Sequence, residues 1–137
     1  MISMLDKIAK VSYWTRAAEN DWRVVGHLFE KGDYPYALFF AHLTLEKTLK
    51  ALIILNTGGT PPLTHRLVYL AEKTKIPFSE EHIELLEIVT DFNLEARCPD
   101  ENFSFQARCT NEFTRNHLNR IEELKKWLQK KLPSSEI

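Results

Sequence analysis

Residues 41–55, AHLTLEKTLKALIIL, carry Glu46, Lys47 and Lys50 inside a stretch that is otherwise apolar almost all round. At about 100° per residue, Ala41, Leu43, Leu45, Leu49, Ala51, Leu52, Ile53, Ile54 and Leu55 leave no wide polar face, so charges there need a reason. Glu46 and Lys50 stand in the i, i+4 order that supports any helix surface. Lys47 points about 100° away from Glu46 and is not accounted for by that pair. A lysine at a groove edge can meet phosphate as a point charge. His42 lies one turn before Glu46, as metal ligands can, but without a second such helix the spacing suits a hydrogen-bonded pair. His65 follows Thr64 near the start of a further helix, where an imidazole and free N–H groups could hold an anion or form a structural contact. Arg97 and Asp100 flank Pro99, either as an ion pair closing a turn or as a bidentate phosphate site with a carboxylate beside it. Asp21 falls beside an apolar stripe and is a candidate partner for Lys47 or Arg97, or a solvated flank residue. Lys47, Lys50, His65, Arg97 and Asp100 are therefore the candidate ligand-binding set, and a phosphate-bearing ligand suits their charge.

Other chemistries find little support. Cys98 and Cys109 form no CxxC, no second pair completes a zinc site, and both are expected as reduced thiols. Five scattered histidines make neither HExxH nor an i, i+4 pair, so no metal and no cofactor is expected. A net charge of −1, from 18 Lys and Arg against 19 Asp and Glu, gives no broad positive field for general nucleic-acid binding. The start MISMLDKIAK lacks a signal-peptide core, and His42, Glu46, Lys47 and Lys50 interrupt the apolar run, so a cytoplasmic protein without a membrane span is expected. With 137 residues, 44% of them hydrophobic, the chain can bury a real core. One domain over residues 1–132 and a polar tail over 133–137 is the expected organisation.

Helices must position these residues. Met4, Ile8, Val11, Thr15, Ala18, Trp22, Val25 and Phe29 alternate steps of four and three, one stripe on a long first helix that Gly32 ends. Trp14 and Trp22 suit the core, with base stacking the alternative. Asp33 and Pro35 suit the start of a second helix, which NTGGTPP must stop. Thr64 can cap a short third helix with Leu67, Leu70 and Ala71 as its stripe. Ser79, Glu80 and Glu81 open a fourth, striped by Leu85, Val89 and Phe92. EARCPDENFSF reads as a break, since Pro99 disfavours helix at Cys98. Phe113, His117, Ile121, Leu124 and Leu128 face one way on the last helix. No strand pattern or repeat competes, so the fold class is all-α, an antiparallel up-and-down four-helix bundle with an additional short helix. The apolar circumference of the second helix, at Phe39, Leu43 and Ile54, exceeds what one core is expected to bury, which predicts a homodimer built on that helix.

YWTRAAENDW, GDYPYALFFAHLTLEKTLKALI, PPLTHRLVYL and EARCPD, in this order, resemble the HEPN family of nucleotide-associated helical domains, and the resemblance covers nearly the whole chain. Its most specific marks are Ala41, Glu46, Lys47, Leu49, Lys50 and Ala51, then Thr64-His65, then Arg97-x-Pro99-Asp100. The resemblance implies a bundle of four or five helices that dimerises, with polar residues in a groove near the dimer contact. It also implies a minimal nucleotidyltransferase as partner, often in a two-gene toxin-antitoxin pair. HEPN ribonucleases carry Arg followed after four to six residues by His, the first holding phosphate and the second moving a proton. Arg23–His27, Arg115–His117 and Arg108–His117 all miss that spacing, and i and i+2 positions face about 200° apart on a helix. The expectation is accordingly a nucleotide- or partner-binding domain rather than an enzyme. The alternative is a ribonuclease with an atypical Arg-His site assembled across a dimer.

Overall fold

A computed structural model describes residues 2–133; positions 134–137 of the expected tail lie outside the described residues. Six helices account for the fold: α1 Met4–Glu30, α2 Tyr34–Thr57, α3 Leu67–Lys73, α4 Glu80–Arg97, α5 Ser104–Arg108 and α6 Asn111–Gln129. There is no strand among the described residues. No helix among them is long and apolar enough to cross a membrane.

The helix ends follow local chemistry. Past α1, Gly32 takes φ 79°, and the Gly32 and Asp33 N–H groups donate to the carbonyls of Phe29 (3.1 Å) and Leu28 (2.9 Å), closing a Schellman motif. Pro35 occupies the first turn of α2, where its missing N–H is no loss, and Gly58 at φ 70° terminates that helix. Ser79 caps α4 by accepting from the His82 N–H at 3.1 Å, as its sequence predicts. Thr64 does not cap α3. Its hydroxyl accepts the Arg66 N–H within the preceding loop, and α3 starts at Leu67, whose N–H reaches the Thr90 hydroxyl of α4 at 3.2 Å. Helix is lost at Cys98, before Pro99, as expected, but the following break holds a helix of its own. α5 begins after Phe103, at φ 52°, and buries Phe105 against Phe92 with ring centroids 5.5 Å apart.

α2 is the central helix. It packs against α1, α3, α4, α5 and α6, and Ala37, Leu38, Ala41, Leu45, Leu49, Ala51 and Leu52 are all fully buried. Its apolar circumference is therefore covered within its own chain: Ile54 is 2% exposed, and Phe39 and Leu43 are half-buried. Most of the surface from which a dimer on the second helix was expected is thus covered, with Phe39 and Leu43 partly open. Contacts Tyr34 to Phe29, Lys47 to Asp21 and Lys50 to Trp14 step backwards along α1, so α1 and α2 run antiparallel. His82 to Trp127 and Phe92 to His117 establish the same for α4 and α6. The α1 stripe is buried at Val11, Ala18 and Val25, whereas Met4 and Ile8 at its start are 68% and 56% exposed. Trp14 and Trp22 pack against the core, half-buried.

Candidate functional site

On α2, His42, Glu46 and Lys50 follow one another at four-residue steps and so share a face. That face meets the loop entering α3. The Glu46 carboxylate, only 5% exposed, accepts from Lys50 Nζ at 3.2 Å through one oxygen and from His65 Nδ1 at 2.8 Å through the other. A carboxylate cannot donate, so Nδ1 of His65 carries a proton, and in the neutral ring the lone pair is on Nε2. The His65 side chain is 55% exposed, and with Nδ1 bound to buried Glu46 its Nε2 is the nitrogen left for another partner. His42, fully buried, donates from Nε2 to the His65 carbonyl at 2.8 Å, pinning the backbone of the same residue. Its other nitrogen has no hydrogen-bond partner and stands 3.9 Å from Glu46. Burial lowers the His42 pKa below its ordinary value and outweighs the opposing pull of the His65 carbonyl and the Glu46 carboxylate. His42 is thus a neutral hydrogen-bond donor at neutral pH. Lys50 Nζ also lies over the Trp14 ring, 5.2 Å from its centroid, a contact that helps hold a lysine only 7% exposed.

The five residues singled out in the sequence separate into three groups. Lys50 and His65 converge on Glu46. Arg97 is exposed at the end of α4 and makes no ion pair among the described residues; its charge is the weakest of the influences on His42. Lys47 turns toward α1 and pairs with Asp21 at 2.6 Å, the partner its sequence position suggests. Asp100 forms no ion pair with Arg97 among the described residues; its Oδ1 accepts the Ser104 N–H at 2.9 Å and fastens the turn into α5. The Ser104 backbone and hydroxyl hold the Asp100 carboxyl below its ordinary pKa. Sequence reasoning left Glu46 and His42 out of the set, although the hub is Glu46 itself. The signal was the i, i+4, i+8 order of His42, Glu46 and Lys50 on one face.

No group of three or more potential metal ligands is found among the described residues. The Arg115–His117 pair does not converge: Arg115 lies over Phe29 of α1, while His117 donates to the Phe113 carbonyl at 2.9 Å and packs on Phe92. A shallow groove of about 340 Å³ between α1 and α6, with Val25 at its base, lies apart from the Glu46 cluster. What the cluster offers is one buried carboxylate balanced by a lysine, and a half-exposed imidazole held by one nitrogen.

No curated protein matches the sequence. Among solved structures, TT1696 from Thermus thermophilus is similar, with a TM-score of 0.74 at 18% identity over 90% of this chain and 98% of that one, a likeness of fold. The model of the HEPN domain matches residues 11–132, so helices α1 to α6 together, with the Glu46 cluster between them, belong to a member of the HEPN domain family.

Proposed function

We propose that this chain binds the phosphate group of a nucleotide at the Glu46 cluster and acts beside a minimal nucleotidyltransferase in a toxin-antitoxin-type pair. The observation that carries the binding reading is the fixed His65 ring, half-exposed, with one nitrogen on a buried carboxylate and the other not engaged by it. Arg97 supplies a planar fork for phosphate oxygens and His65 Nε2 a further polar contact, while Lys50 holds the charge of Glu46 in balance. Lys47 and Asp100 belong to the wider set but are engaged with Asp21 and Ser104, so they contribute support rather than contacts. The reading takes residues 1–132 as one cytoplasmic domain, with α1, α2, α4 and α6 as a four-helix bundle and α3 and α5 as its short additions. HEPN domains commonly dimerise, and a homodimer of this chain would use surface other than the buried face of α2.

Calorimetry with nucleotides tests the reading. Binding should weaken as salt rises, because exposed charges are screened over about 10 Å at 0.1 M ionic strength. Arg97→Ala should weaken it about tenfold or more, the equivalent of 1.4 kcal/mol or above for a charge-assisted contact. Lys47→Ala should leave affinity within about twofold and cost at most about 1 kcal/mol of stability, as expected of a partly exposed ion pair. Absence of nucleotide binding, or equal losses from Arg97→Ala and Lys47→Ala, would refute the assignment. Co-purification with the product of a neighbouring nucleotidyltransferase gene tests the partner.

A further inference from the structure

We propose that His65 is a covalent phosphoryl-acceptor site, a nucleophilic imidazole set up by Glu46. This inference rests on the anion-binding reading above and assigns that site a chemical step. An imidazole attacks phosphorus through a nitrogen that carries a lone pair and reaches the donor. Here the Glu46 carboxylate, accepting the His65 Nδ1 proton at 2.8 Å, fixes that lone pair on Nε2. The ring is 55% exposed although its carboxylate partner is only 6% exposed. The His65 backbone is held as well, by the His42 Nε2–H on its carbonyl at 2.8 Å, so ring and main chain are both positioned before a donor arrives. A carboxylate serving only to fasten the loop could bond a main-chain N–H; this one bonds the ring.

The step balances with a phosphoanhydride donor. The Nε2 lone pair forms the N–P bond, the bond from phosphorus to the bridging oxygen breaks, and the leaving phosphate departs with its electron pair. The imidazole keeps its Nδ1 proton and becomes cationic, and the buried Glu46 carboxylate lies against that new charge. The step assigns to Arg97, the exposed cation at the end of α4, the oxygens of the incoming phosphoryl group. Lys50 Nζ donates to the other Glu46 oxygen at 3.2 Å and balances the charge of the carboxylate that accepts from His65.

The chain provides its own control. His27 is exposed on α1 and has no carboxylate partner among the described residues. The experiment treats the full chain with potassium phosphoramidate, a small phosphoryl donor to imidazoles, and locates the label by mass spectrometry of intact and digested protein. His65 should be labelled about tenfold or more faster than His27, a modest gain for an oriented nucleophile. Glu46→Gln should reduce that ratio toward unity with His27 labelling unchanged, and Arg97→Ala should lower the rate at His65 severalfold. Lys50→Met, with its fold checked by circular dichroism, gives a second perturbation should Glu46→Gln fail to fold, and it too should lower the ratio. Equal labelling of His65 and His27, or a ratio unmoved in a folded Glu46→Gln or Lys50→Met protein, overturns the proposal. Calorimetry with inorganic phosphate separates it from the reading beneath: phosphate binding without labelling removes the nucleophile and leaves the anion site, and absence of both removes both.

Discussion

Truncating Glu46 to Ala is the perturbation that the cluster answers most directly. The carboxylate is 5% exposed and neutralises Lys50, itself 7% exposed, across 3.2 Å. Removing it leaves an ammonium buried between α1 and α2 without a counter-charge, and breaking a buried pair by deleting one partner costs about 3–5 kcal/mol. The bond to His65 adds little, because that ring is half in water and can be solvated. A loss of about 3 kcal/mol therefore stands as the lower expectation, and at roughly 3–4 °C per kcal/mol for a domain of this length it lowers Tm by about 10 °C. Glu46→Leu combined with Lys50→Met removes both charges and keeps the volume apolar, so it should recover most of the loss. The assay is urea unfolding of Glu46→Ala together with the four proteins of the cycle formed by wild type, Glu46→Leu, Lys50→Met and the double variant, with a coupling energy above about 1.5 kcal/mol expected for groups in contact. Should Glu46→Ala lose less than about 1 kcal/mol, or should the double variant be no better than the single, the charges are hydrated and the electrostatic account of the cluster fails.

Two further outcomes follow from the titrating groups. Because burial holds the folded His42 pKa below 6.5, the unfolded chain takes a proton there that the folded chain refuses, so its contribution to stability is full above pH 6.5 and falls as pH drops from 6.5 through the lowered folded value. The slope approaches about 1.4 kcal/mol per pH unit for one proton, and a His42→Gln protein, less stable at pH 7.5, should close the gap to wild type as pH falls toward 5; a constant gap refutes the buried neutral imidazole. The second concerns thiols: Cys98 is exposed, whereas Cys109 is 6% exposed and burial pushes its thiol up to about 11. A disulfide reagent at pH 8 should titrate one thiol at once and the other only on unfolding, and two fast thiols would contradict the packing around α5.

Residues with obligatory backbone behaviour made the fold legible. Gly32, Gly58, Pro35 and Ser79 mark helix ends through φ, a missing N–H or a hydroxyl, and each acts in the structure as its chemistry dictates. α5 was not legible because its start depends on Phe103 adopting φ 52°, which no propensity favours, and on Phe105 finding Phe92 from another helix. The start of α3 was misplaced for a related reason: Thr64 has the right side chain for a cap, but Thr90 of α4 supplies the acceptor near the true terminus from 23 residues away. Periodicity also cannot say what covers an apolar helix. Around Ile54 and Leu45 it gives the same pattern for a dimer interface as for a helix surrounded by its own chain, and only the other helices decide between them.

The same limit applied to the charges on α2, and it explains why Lys47 and Lys50 differ in role. Both lie on one turn of one helix, yet the three-residue step between them sends Lys47 to Asp21 on α1 and Lys50 to Glu46, a separation visible only once the neighbours of α2 are known. As a means of holding α2 to the loop before α3, the Glu46 network is a poor device, since apolar side chains of similar volume are often as stable as a buried ion pair or more so. An apolar contact would fasten the loop but leave the imidazole of His65 free to rotate. The carboxylate instead selects one tautomer and one orientation of a half-exposed ring, with His42 fixing its backbone from the other side. What the buried charge provides, beyond adhesion, is an imidazole of fixed orientation at the surface, and that is the property on which the proposed binding and the proposed nucleophilic attack both depend.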